Sequence, residues 1–110
     1  MNREEWLGQA VDLLRSEFAS QAVEVPAKVL VSCSFAKDRN KKVEGSCFNP
    51  TASADAETVQ ITVSPIVVDT TKVLGILVHE LCHACLPTGT GHKAPFKRLG
   101  VAMGLAGKPK

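Results

Sequence analysis

The chain has 110 residues, of which 45% are hydrophobic, 22% charged and only 5% aromatic, with no Tyr. This length and apolar fraction fit a single domain over residues 1–110 with a thin aliphatic core, and they exclude a disordered chain. Thirteen basic and 11 acidic residues leave a net charge of +2, too balanced for charge alone to mark a nucleic-acid binder.

No run of about 18 apolar residues occurs, so no membrane partner is expected. Residues 1–5 are polar and acidic and lack the apolar stretch of a signal peptide. The expected location is cytoplasmic, where the four cysteines would be free thiols.

Residues 2–19 read as an amphipathic helix. Asn2 can cap it, with Glu5 three residues on as in a capping box. Trp6, Leu7, Ala10, Val11, Leu14 and Phe18 recur at helical spacing. Three strands are expected next. Residues 28–35 put Val29, Val31, Cys33 and Phe35 on one side, and a basic turn at 37–42 leads to residues 43–48, which include Gly45. A loop follows through Asn49-Pro50 and Ser53-Ala54-Asp55. Residues 58–64 then alternate, with Val59, Ile61 and Val63 facing one way and Thr58, Gln60, Thr62 and Ser64 the other, and Pro65 ends the run.

A second helix should start at Asp69 or Thr70, either of which can cap it, and run to about Cys85, because Pro87 cannot continue it. Residues 88–91, Thr-Gly-Thr-Gly, read as a loop. A short last helix should begin around Pro95, a favoured first-turn residue, and carry Phe96, Leu99 and Met103 or Leu105.

The chemistry concentrates in the second helix, at His79-Glu80-Leu81-Cys82-His83. A helix turns about 100° per residue, so His79 and His83 lie roughly 40° apart around the axis and one turn apart along it. Both imidazoles can then reach one ion. Leu74, Leu77 and Leu81 should anchor the opposite face in the core. Gly75, one turn before His79, should spare the site a crowding side chain. Glu80 points about 100° from His79, a position for a base acting on metal-bound water rather than for a ligand. This is the physical content of the H-E-x-x-H pattern.

His92 is the third and last histidine. Three protein ligands and a water make a catalytic zinc site, whereas a structural site has four protein ligands. The short glycine-containing segment 86–91 can turn the chain back so that His92 enters from the start of the last helix. Cys82 and Cys85 form a C-x-x-C, but on a continuous helix Cys82 points about 60° from His79 and about 100° from His83. It is poorly aimed at the same ion. All four cysteines are therefore expected as small core residues.

The order helix, strands, residues 78–84 Val-His-Glu-Leu-Cys-His-Ala, then Gly91-His92 and Phe96, resembles the SprT-like (Spartan-type) zinc metallopeptidases. The resemblance covers nearly the whole chain and is most specific from Ile61 to Leu105. It implies an α+β, minimal zincin-like domain: an N-terminal helix, a three-stranded sheet, the metal-bearing HExxH helix and a short C-terminal helix. It also implies Zn2+ on His79, His83 and His92, with Glu80 as general base. The strand of residues 59–64 would run beside the metal helix and bind an extended peptide by edge pairing. Lys93 departs from the Gly that commonly follows the third histidine in that family.

The function expected on this reading is hydrolysis of peptide bonds in a protein or peptide substrate, by Glu-assisted attack of zinc-bound water. The family includes proteases acting on DNA-associated proteins. Lys37, Arg39, Lys41 and Lys42, with Lys93, Lys97, Arg98, Lys108 and Lys110, read as a solvated loop and a solvated helix face, or else as the residues that would meet nucleic acid. The alternative is a catalytically silent, zinc-stabilised protein- or DNA-docking module. Glu80 separates the two, since a purely structural site has no use for a carboxylate beside an open metal position. No oligomeric state follows from the sequence.

Overall fold

In the computed structural model, which describes residues 2–34, 43–48, 55, 57–87 and 89–105, the chain forms a small α+β fold. Its elements are α1 (Arg3–Ala19), β1 (Val29–Cys33), β2 (Gly45–Phe48), β3 (Val59–Val63), α2 (Thr70–Cys85) and α3 (Ala94–Ala102). Phe35, the basic turn 37–42, the loop residues 49–54, Thr88, Lys108 and Lys110 lie outside the described residues.

Helix α1 opens with a reciprocal Asn2–Glu5 cap. The Asn2 side chain accepts from the Glu5 N–H at 2.8 Å, and its amide donates to Glu5 Oε1 at 3.2 Å. Leu7, Val11 and Phe18 are buried on one stripe, as the periodicity requires. Beyond α1, Ala22 takes a positive φ of 61°. Arg15 then fastens the following connection. Its guanidinium donates to the carbonyls of Val25 at 3.2 Å, Pro26 at 2.9 Å and Ala27 at 3.3 Å.

The sheet order is β1-β3-β2. β3 pairs parallel with β1 (Val29↔Val59 to Cys33↔Val63) and antiparallel with β2 (Gly45↔Val63 to Phe48↔Gln60). This corrects the placing of residues 59–64 as a peptide-binding edge: β3 is the central strand, and its hydrogen-bonding groups serve its two neighbours. The reason is burial. Val59, Ile61 and Val63 are at most 3% exposed, and Thr62 and Ser64, expected on a polar face, are buried as well. Thr62 keeps a partner there through a hydroxyl hydrogen bond with Ser46.

Asp69 caps α2 by accepting from the Lys72 N–H at 3.3 Å. Leu77, Leu81 and Cys82 are fully buried, and Val73 and Val78 nearly so, in one core with α1 and the sheet. Leu74, expected in that stripe, is only half-buried. At the first turn, Lys72 pairs with Glu44 at 2.7 Å and ties the approach to β2 onto α2. Pro95 stands in the first turn of α3, which buries Phe96 and Leu99. Among the described residues, no helix is long and apolar enough to cross a membrane.

Candidate metal centre

His79 and His83 project from α2 with ring centroids 5.0 Å apart. His92, in the turn that precedes α3, brings its ring to 5.2 Å from His79 and 4.9 Å from His83. Two of the three imidazoles thus come from a packed helix and the third from an exposed turn. Gly89 and Gly91 have positive φ values of 93° and 56°, the left-handed conformation that glycine adopts without a Cβ penalty. Lys93 sits at φ −72° and ψ 179°, extended backbone open to any residue, so no glycine is required after His92.

One nitrogen from each ring lies within 4.8 Å of the other two. The Nε2 atoms of His83 and His92 are 3.1 Å apart. Two nitrogens on one zinc at about 2.0–2.1 Å in a tetrahedral arrangement would stand about 3.3 Å apart. The donor set therefore fits a single metal ion. Burial, helped by the neighbouring His79 and His92, lowers the His83 pKa to about 4. Its ring is neutral near pH 7, as a ligand must be.

Phe96 is the floor of the cluster. It is 1% exposed, and its ring lies 5.0 Å from His79, 4.4 Å from His83 in a stacked arrangement, and 4.9 Å from His92. From the sequence alone Phe96 belongs to the core of the last helix and has no part in the site. Phe96 follows His92 by four residues, and that closeness in sequence is the available signal.

Glu80 is 6% exposed, and burial raises its pKa to about 7. It and the three histidines line an open cleft of about 630 Å³, with Gly45 and Cys47 of β2 on the facing wall. Gly75 does not do what the sequence suggested, since a Cβ added there meets nothing within 4 Å. The glycine that matters is Gly45. A Cβ there would lie 2.5 Å from Ile76 Cγ2 and 3.2 Å from both Glu80 Oε2 and the Thr62 carbonyl oxygen. A glycine inside a strand often marks such a close approach.

The cysteines are free. Cys82 lies in the core and Cys47 and Cys85, partly buried, pack against it, so the expectation of four core residues fails only at Cys33, which is partly buried outside that cluster. No cysteine belongs to the metal-ligating group among the described residues. Burial pushes the thiols of Cys47 and Cys82 up to about 12 and that of Cys85 to about 11, so they stay protonated and weakly nucleophilic. No family model, curated protein or solved structure matches the chain.

Proposed function

We propose that the chain is a zinc-dependent metallopeptidase of the SprT-like, zincin type, with His79, His83 and His92 as zinc ligands and Glu80 as general base. The observation that carries the reading is the convergence of three imidazoles beside a buried carboxylate in one open cleft. Zinc held by these rings would supply Lewis acidity, polarising a peptide carbonyl and lowering the pKa of a water toward about 7.

The chain's own groups do the rest. Glu80, next to His79 but outside the ligand set, takes the proton of the attacking water and passes it to the leaving amine. Burial raises the Glu80 pKa, and a cation held by the three histidines would oppose that and favour the carboxylate that accepts the proton. The substrate is held by β2 rather than β3. The Ser64 N–H donates to the Glu44 carbonyl, and with the β2–β3 register this turns the backbone N–H and C=O of Gly45 and Cys47 away from β3. These groups stand on the cleft wall, where an extended peptide can add as a further strand.

Glu80→Gln keeps size and shape but cannot accept a proton. The variant should fold and retain zinc. Hydrolysis of casein or histone, with and without single-stranded DNA, should fall by at least about 10²-fold. A parent that cleaves no faster than its Glu80→Gln variant contradicts the assignment.

A further inference from the structure

We infer that Gly45 is a positioning residue for Glu80: the missing side chain at this point of β2 lets the carboxylate lie against the strand and so fixes its aim into the histidine cleft. The inference rests on the proposed role of Glu80 and adds a residue from a different element of the fold.

The geometry is specific. Three groups converge on the space that a Cβ at position 45 would fill: Ile76 Cγ2 at 2.5 Å, Glu80 Oε2 at 3.2 Å and the Thr62 carbonyl oxygen at 3.2 Å. Ile76 and Glu80 are one turn apart on α2, so the glycine faces a ridge of that helix. Thr62 belongs to β3 and its carbonyl is held in the sheet, so it gives no room. Ile76 is β-branched and stiff at χ1 in a helix, and Cγ2 is not the end of a flexible chain. The Glu80 carboxylate is the group that can move, and its movement would reach the metal site. The Glu44–Lys72 pair at 2.7 Å holds the strand close at the preceding residue.

The requirement is for space rather than for backbone freedom. Gly45 is not among the glycines with positive φ, and alanine is compatible with its extended conformation. A structural role and a positioning role can therefore be separated by relieving the hard contact. Gly45→Ala alone meets Ile76 and loosens the packing of β2 on α2. In Gly45→Ala with Ile76→Ala the 2.5 Å contact is gone, and of the three nearest groups the one that can still move away from the new methyl is the Glu80 carboxylate.

The test uses the full chain loaded with cobalt(II), with Ile76→Ala and Glu80→Gln as references. The pH dependence of the visible cobalt band reports the group that exchanges protons with the metal's open position. A displaced Glu80 should move the profile of the double variant away from that of Ile76→Ala and toward that of Glu80→Gln. The double variant should bind cobalt as tightly as Ile76→Ala, and kcat should fall about tenfold or more with KM little changed. A double variant with the Ile76→Ala profile overturns the inference. So does one that fails to fold or to bind cobalt, because the position then matters for packing alone. A Glu80→Gln profile identical to the parent's is a different failure: it removes the general-base reading itself.

Discussion

Helix α2 and the turn from Leu86 to Lys93 serve the same cluster by opposite means. In α2, Leu77 and Leu81 are fully buried, and the helix period carries that anchoring across to His79 and His83. The helix itself sets those two rings side by side. His92 is exposed, its turn contains two glycines with positive φ, and the helix it introduces has no side-chain cap. Its place depends on local backbone geometry and on the Phe96 ring beneath it. The comparison teaches that ligands on a core-packed helix are preorganised by folding, whereas a turn-borne ligand is held largely by the ion it binds.

The strongest way to break the comparison is to remove the anchor. Leu77→Ala should destabilise the fold by about 2–5 kcal/mol, and zinc should be lost with the structure. Chemical denaturation and zinc titration should therefore move together.

The ligands themselves should respond without loss of fold. His92→Ala should keep the melting temperature of the metal-free parent and weaken zinc binding by more than the 10- to 100-fold typical of an outer-shell partner. Cys82→Ala and Cys85→Ala should retain zinc. The reverse pattern would mean a Cys/His structural site, and the metallopeptidase reading would fall with it.

A smaller effect sharpens the account of the turn. Gly91 has φ 56°, and a residue with a Cβ pays about 1–2 kcal/mol there. On the metal-centre reading, the exposed turn carries this strain only while His92 is held as a ligand. Gly91→Ala should therefore weaken zinc binding by about 5- to 30-fold while thermal stability of the metal-free protein stays near that of the parent. Unchanged affinity would show that the turn does not need the left-handed conformation to deliver His92.

Much of this architecture was legible in the residues. Asn2 with Glu5, the run Val59-Gln60-Ile61-Thr62-Val63, Asp69 and Pro87 mark element boundaries through local physics: caps, alternation and a missing N–H. The pairing of His79 with His83 follows from the helix period alone. Strand order did not follow, because alternation says which face is buried and not which neighbours a strand acquires; β3 became central by pairing with β1 across 29 intervening positions of sequence register and with β2 from the other side. The roles of Gly45 and Phe96 were hidden for the same reason. Each depends on a contact between distant segments, Gly45 with α2 and Phe96 with the rings above it. Gly75 misled because a helical glycine near a motif looks purposeful until the space around it is known.

The central claim is that His79, His83 and His92 form one metal centre beside a base that is not a ligand. Elemental analysis of the parent and of Glu80→Gln, both reconstituted with zinc and freed of excess, tests it most directly. The account predicts one zinc per chain in each. A stoichiometry near zero in the parent contradicts the metal centre, and zinc retained by the parent but lost from Glu80→Gln would make Glu80 a ligand and contradict the general-base assignment.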